Sequence, residues 1–474
     1  MKIKKFFLFL FLSLALPIFS QAKGTVKLSG YATNYAGYQI KLYKYADVIS
    51  EEKITLNSFN INKDGSFETS FELNSITPCY AEFDAYQASL YLIPGKSYQL
   101  IFPPVKKLAD SQKRNPFFKA EEISFATKTT DNQELNRQIQ AFEIAYSKEE
   151  SSLFNQIYHQ KSMAAVDSLT KHLQQQFPKT DDAYFEDYKF YRTAFAEFAL
   201  HQGRSENYIT SHFIHHRPDL QIPPCAKLFK QLFTNHFLFE GNSIRGKDFK
   251  ILVARADLSG IENYLISNNG WDKNLSRLVI LQSINDAYFQ GQFSQRSLLS
   301  LLDKIVASEW SIDNKEIAQR LKAKLTYLQI GSKAPVFSMT DFSGKKHQLN
   351  NLKDKYTYLN FTRVANPICR QHLNELKKSA AKLEKELRII NLIMPEEASK
   401  KDLILQQNWA GTFYIIDEKT ADAYRISNFP QAYLIDEKGS LVLSPAPNPL
   451  DGFEQRFISL LKQIRLEKLR NQDK

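Results

Sequence analysis

Cysteine is scarce in this chain: its 474 residues hold three, Cys79, Cys225 and Cys369, and the loop around Cys369 contains no second one. An odd count leaves at least one thiol without an intramolecular partner. Cys79 (in TPCY) and Cys225 (in PPCA) could pair and leave Cys369 free; all three reduced, as small buried hydrophobes, is the other reading, and both stand. No apolar run beyond the N-terminus is long enough to span a bilayer. Basic residues are not gathered into a patch with a recognisable nucleic-acid module, which argues against a nucleic-acid reader; the tail IRLEKLRNQDK reads as the solvated end of a C-terminal helix. His212, His215 and His216 come close together in SHFIHHRPDL, and His212 and His216 stand four apart. No acid lies between them and no third ligand is evident, so a histidine cluster is expected there and no metal. No cofactor is expected.

What is present begins with MKIKKFFLFLFLSLALPIFSQAK. Lys2, Lys4 and Lys5 precede an apolar run from Phe6 to Phe19, with Ser20 and Ala22 at the cleavage point. This is the pattern of a secretory signal over residues 1–22, with an uncleaved anchor as the competing reading because the cleavage box is imperfect. No cysteine follows the run, which argues against a lipid anchor. Removing the leader's three lysines lowers the formal net charge from +11 to about +8, a mild basicity.

The chain is long enough for two to four domains. Residues 23–104 alternate apolar and polar in short Tyr- and Phe-rich segments (TVKLSGY, YQIKLYKY, SFETSFEL, SLYLI), punctuated at NKDGS and IPGKS, which predicts an antiparallel β-sandwich. Exposed tyrosines there could bind carbohydrate or peptide, although cross-strand aromatic pairs that hold a sheet are the commoner use. Residues 105–130 read as a polar linker. Helical periodicity then runs over 131–328, as in YFEDYKFYRTAFAEFALHQ, and predicts an all-α middle region. From 331 to 474 strands and helices alternate, predicting an α/β domain. The whole is a multidomain α+β chain.

The last segment carries the chemistry. NFTRVANPICRQHLNEL reads as the end of a buried strand, a loop and an amphipathic helix start. A helix N-terminus stabilises a thiolate, so this is where thiol chemistry is normally built. Asn366 is a favoured N-cap and Pro367 follows at the first helical position, where its missing N–H costs nothing.

The element order, with GSKAPVFSMTDFSGK at its head and NFPQAYLIDEKG near its end, resembles the thioredoxin-like domain of the TlpA and ResA family of extracytoplasmic thiol:disulfide oxidoreductases. The front half resembles the N-terminal extension of large envelope members from Gram-negative bacteria. Family members place Trp-Cys-x-x-Cys at the helix start; here Ala365 and Asn366 stand for the tryptophan and first cysteine. The resemblance implies that Cys369 is the second, resolving cysteine, that Asn366 occupies the place of the missing nucleophile, and that Pro430 is a cis-proline facing the motif. The backbone beside it, at Phe429 and Pro430, would bind an extended client segment. The expectation is an exported periplasmic or envelope protein, peripherally associated, that has lost dithiol reductase activity and binds a protein or peptide client. Catalysis by Cys369 alone, as a monothiol oxidoreductase or a peroxidase, is the alternative. Peroxiredoxins share this fold and carry Thr-x-x-Cys with a proline four residues before the threonine; here Asn366 and Thr362 stand at those places, and Arg363 or Arg370 would have to lower the thiol pKa. A third reading places the function in the front half, with the last domain as a structural appendage.

Overall fold

The computed structural model describes residues 23–108, 119–129, 131–200, 206–349, 354–426 and 428–472, so the leader expected over 1–22 lies outside the described residues. The chain divides into two compact units that part between Leu321 and Lys322.

The first unit opens with strands β1 (Gly24–Tyr31), β2 (Gln39–Tyr45), β3 (Lys53–Asn60), β4 (Ser66–Leu73), β5 (Thr77–Phe83), β6 (Tyr86–Leu92), β7 (Ser97–Ile101), β8 (Glu121–Ser124) and β9 (Ala126–Thr127). They form two sheets, ordered β4-β1-β7-β9 and β3-β2-β5-β6-β8. Period-two alternation sends Val26, Leu28, Phe67 and Leu100 of one sheet and Ile40, Leu42, Ala81 and Leu90 of the other into one shared core. The expected all-antiparallel pairing does not hold: β1 runs parallel to β7, and β6 parallel to β8. Alternation reports which face a residue takes but not strand direction, and parallel returns are possible because five strands lie between β1 and β7, and β7 with the segment after it lies between β6 and β8. The stretch read as a linker contains β8 and β9. Its charged residues Glu121 and Glu122 hide the strand pattern, while Phe125 is buried against Phe83 and Phe102, with ring centroids 5.7 and 5.2 Å away. Tyr43 and Tyr45 of β2 meet Tyr80 of β5 at 5.9 and 5.3 Å, a cross-strand aromatic cluster.

Helices complete this unit: α1 (Leu135–Phe154), α2 (Met163–Gln176), α3 (Ala183–Phe198), α4 (Glu206–Ile209), α5 (Pro223–Phe233), α6 (His236–Gly241), α7 (Gly246–Ala254), α8 (Leu258–Asn269), α9 (Lys273–Ala287), α10 (Gln295–Ala307) and α11 (Ile312–Thr326), the last crossing the division between the units. Side chains written into the sequence start several of them: Ser162, Asp182, Asp257, Asp272 and Ser294 each accept a first-turn backbone N–H. Gly270 ends α8 with φ +67°, a left-handed conformation that glycine adopts at little cost. A buried amide links the helices to the sheet: Asn136 of α1 accepts the Tyr91 N–H at 2.7 Å and donates to the Tyr91 carbonyl at 2.9 Å.

The second unit has strands β10 (Ser338–Thr340), β11 (Lys346–Gln348), β12 (Tyr356–Phe361), β13 (Leu387–Ile393), β14 (Thr412–Ile415), β15 (Gln431–Ile435) and β16 (Leu441–Ala446), with helices α12 (Pro367–Leu383), α13 (Lys401–Gln407), α14 (Glu418–Ala423) and α15 (Phe453–Gln472). One sheet runs β11-β10-β14-β13-β12-β15-β16, with β12, β13 and β14 parallel and the rest antiparallel. β12 and β13 are nearly continuous in burial because both faces are covered. Leu359, Phe361, Ile390 and Leu392 pack on one face; Tyr358, Ile389 and Leu434 pack on the other against Leu376, Phe453 and Phe457. Between the faces, Asn360 Nδ2 donates to Asn391 Oδ1 (2.8 Å), and Asn391 Nδ2 to the Ala410 carbonyl (2.8 Å). Gly411 follows with φ +87°, where a Cβ would lie 2.5 Å from Ile389; only glycine fits.

Replacing Asn136 by alanine strands the Tyr91 N–H and carbonyl, and is expected to cost the first unit about 2 kcal/mol. Chemical denaturation followed by circular dichroism should show the first unit's transition move to lower denaturant while the second unit's stays in place. An unchanged profile contradicts this role of Asn136.

Candidate functional site

The site starts from β12. Its last residue, Phe361, is fully buried, and Thr362 continues the pairing with its N–H on the Leu392 carbonyl at 3.0 Å. The chain then turns, with the Asn366 N–H on the Arg363 carbonyl at 3.0 Å, and enters α12. Asn366 is the N-cap: its backbone is extended (φ −84°, ψ 123°) and its Oδ1 accepts the Ile368 N–H at 2.9 Å. Pro367 takes the first helical position. Two further side chains fix the loop. The Arg370 guanidinium donates to the carbonyls of Val364 (2.9 Å) and Ala365 (3.1 Å), and the buried carboxylate of Glu397, beyond β13, accepts the Ala365 N–H at 2.9 Å.

Cys369 is the next inward-facing residue. It heads the buried stripe of α12, followed by His372, Leu373, Leu376, Ser379 and Leu383, and its exposure is 0%. Burial pushes its thiol above the ordinary range; the Arg363 N–H and the Thr362 hydroxyl oppose this, Glu397 adds to it, and the Arg363 charge opposes it last. The sulfur is therefore a neutral thiol near pH 7, the unreactive form. His372, one turn on, supplies no cation: burial lowers its pKa against the pull of Asp451, and its Nδ1 accepts the Leu450 N–H at 3.3 Å. Arg370 is committed to loop carbonyls. Arg363 reaches Glu396 at 3.3 Å and lies over the Phe429 ring, 4.7 Å from its centroid.

That last contact joins the two halves of the site. Phe361 pairs with Gln431 in the β12–β15 ladder, which sets Pro430 at the same end of the sheet as the cysteine loop. The Phe429–Pro430 peptide is cis and both residues are half-buried. Ser444–Pro445 is a second cis bond, for which the sequence gives no cue. Outward from Cys369, Pro367 is exposed and Ile368 is 56% exposed.

The other candidates lie elsewhere. Cys79 in β5 and Cys225 in α5 are buried free thiols; burial pushes Cys79 up to about 12 and Cys225 higher than its usual value too. His212 is buried with Nδ1 at 2.9 Å from the Tyr208 carbonyl, whereas His216 pairs with Asp187 at 3.0 Å and stacks on Phe190. His212 lies in the π-helical turn Thr210–Ile214 and His216 just beyond it; both rings pack on Phe190, at 5.2 and 4.2 Å between centroids. Among the described residues no group of three or more His, Cys, Asp or Glu is placed to hold a metal, and no helix is long and apolar enough to cross a membrane. Sequence reasoning missed Glu397 and the Arg363–Phe429 contact. The adjacent glutamates in MPEEAS are the only local hint of the first.

Two outcomes test this geometry. Native Cys369 should alkylate slowly, with an apparent pKa above the ~8.5 of a free thiol, read from iodoacetamide rates against pH by mass spectrometry; an apparent pKa below that value refutes the buried neutral thiol. The raised thiols also set a sign for alkaline stability. The folded state keeps protons that the unfolded chain loses above about pH 8.5, so the stabilisation is complete below that pH and lost as pH rises through the folded values. Melting temperature should fall on the alkaline side, and less steeply in Cys79→Ala.

Comparisons with known proteins fall on the same segment. Residues 330–444 match the AhpC/TSA family. The thioredoxin-like protein YneN of Bacillus subtilis is 31% identical over 125 residues, covering 26% of this chain and 74% of YneN. The thiol-disulfide oxidoreductase ResA of Bacillus cereus is 33% identical over 119 residues, 24% of this chain and 68% of ResA. A solved thiol:disulfide interchange protein from Bacteroides sp. is 24% identical and aligns over 27% of this chain and 88% of its own, with a TM-score of 0.25. Through its second unit, the chain belongs to the thioredoxin-like family of ResA and YneN, with Asn-Pro-Ile-Cys at the start of α12.

Proposed function

We propose that this is an exported, envelope-located thioredoxin-like protein whose second unit has lost dithiol disulfide-reductase activity and binds a protein or peptide client. One observation carries the reading: the Asn366 side-chain carbonyl sits 2.9 Å from the Ile368 N–H, at the helix start where an attacking thiolate would be stabilised. Reduction of a disulfide by a dithiol needs one thiolate to attack and form a mixed disulfide, and a second thiol to displace the first sulfur, so that two electrons and two protons pass to the client. Asn366 cannot start this sequence, and Cys369, buried and protonated, is placed only to finish it.

Client binding needs no sulfur. Half-buried Phe429 and Pro430 and exposed Pro367 and Ile368 belong to the segments that leave β12 and enter β15 at one end of the sheet, and would offer apolar surface to an extended segment. The leader pattern supports export. The two sheets of the first unit, read as a sandwich, and its helices make up the N-terminal extension in this reading.

The AhpC/TSA match favours a second reading, a peroxidase using Cys369. That chemistry needs an accessible thiolate, and the raised pKa and full burial of Cys369 oppose it.

In a dithiothreitol-driven insulin reduction assay the protein should add nothing to the rate of dithiothreitol alone, and it should not accelerate loss of hydrogen peroxide. Asn366→Cys restores a Cys-x-x-Cys spacing and should introduce insulin reduction, at a stability cost of about 1 kcal/mol for the lost cap. Reductase activity in the unaltered protein, abolished by Cys369→Ser, overturns the proposal in favour of a monothiol mechanism. Peroxide consumption abolished by the same change favours the peroxidase.

A further inference from the structure

Helix α5 has two working faces. Cys225, Leu228, Phe229, Leu232 and Phe233 are buried in the first unit's helical core. The opposite stripe, Pro223, Ala226–Lys227, Lys230–Gln231 and Thr234, follows helical spacing and forms one wall of a cleft of about 890 Å³. Its other walls come from the end of β2 and the loop after it, the segment leading into β5, and α9. The volume lies in the ~300–1,000 Å³ range of small-molecule sites.

The chemistry of the walls narrows the ligand. Side-chain amides and carboxylates dominate: Gln231, Gln282, Asn285 and Asp286 all face the cleft. Gln282 is only 3% exposed; its Nε2 donates to Asp286 Oδ1 at 2.7 Å, and its Oε1 has no hydrogen-bond partner. A buried acceptor left unmade is costly, so Gln282 Oε1 calls for a donor, beside an Asp286 carboxylate that already accepts from Gln282 and, through Oδ2, from the Asn235 N–H at 2.9 Å. Lys230, which pairs with Glu51, and Lys44 add cationic donors to the lining. The acidic and basic side chains are balanced, so the cleft does not select a strongly charged ligand. Tyr45 is 51% exposed, and its ring rests on Tyr80, 5.3 Å between centroids. This leaves an aromatic surface held in place at the mouth. The rest of the apolar lining is made of short or ring-closed groups, Ala46, Pro78, Pro223 and Ala226 among them, with Val48 and Leu220 the branched aliphatic side chains among the described lining residues. A peptide's larger apolar side chains would find few branched aliphatic partners here.

We propose that this cleft binds a short, uncharged oligosaccharide. Its hydroxyls would serve the amides and carboxylates as both donors and acceptors, and one ring's C–H face would pack on Tyr45. The site lies wholly in the first unit and does not depend on the state of Cys369.

Isothermal titration calorimetry of the full chain against maltotriose, xylotriose and triacetylchitotriose, with trialanine as the peptide rival, tests this. At least one trisaccharide should bind. Tyr45→Ala should weaken it about tenfold, Tyr45→Phe should retain it, and Asp286→Asn should weaken it. Tyr31→Ala, removing a 76% exposed tyrosine from a different groove, should leave it unchanged. The proposal is overturned if no trisaccharide binds up to about 10 mM, if trialanine binds more tightly, or if Tyr45→Ala and Tyr31→Ala behave alike.

Discussion

The hydrogen bond from the Ile368 N–H to the Asn366 side chain decides what the second unit can do. A helix start offers unpaired N–H groups and a partial positive charge, which in this fold can stabilise an anionic sulfur. Here a neutral carbonyl uses one of those groups to stabilise the helix instead. The rest of the loop is arranged around that choice. Arg370 holds the carbonyls of Val364 and Ala365, and Glu397 holds the Ala365 N–H, so neither the cation nor the anion is free to assist proton transfer at sulfur. Cys369 lies one step further in, on the apolar stripe, where burial decides its protonation.

The same contrast between folding and chemistry runs through the other thiols. Cys79 belongs to the shared core of the two sheets, and Cys225 to the buried face of α5. Both act as small apolar groups. The two-faced character of α5 shows that one helix can close a core and still leave a chemically diverse surface; the core face needs only apolar residues at the right spacing, and the other stripe is unconstrained by it.

Much of the second unit was legible because its elements are marked locally. The apolar runs YTYLNF and RIINLI, the Asn366-Pro367 helix start and the glycine-containing hairpin DEKGS each identify themselves without reference to distant residues. Strand direction in the first unit was not legible, nor were the short strands β8 and β9, whose pairing rests on Phe125 and on partners about 25 to 35 residues away. Within the site, the cysteine and its cap could be read from the sequence. Glu397 and the Arg363–Phe429 contact could not, since each joins segments that only the sheet brings side by side. The histidines near residue 212 do gather, His212 and His216 on the ring of Phe190, but nothing in the sequence marks that aromatic partner or Asp187.

The Asn360–Asn391 pair has a consequence of its own. The two strands that carry it run parallel and are otherwise lined mostly by apolar side chains, largely aromatic in β12 and aliphatic in β13, so more than one alignment would bury apolar surface. Only one lets both amides, and the carbonyl at Ala410, meet. Sliding either strand by a residue would bury two amides against hydrocarbon, which makes this polar contact a vernier for the sheet: it reads out a single alignment, and thereby fixes the height at which the next loop, with its cysteine, leaves the C-terminal end of β12.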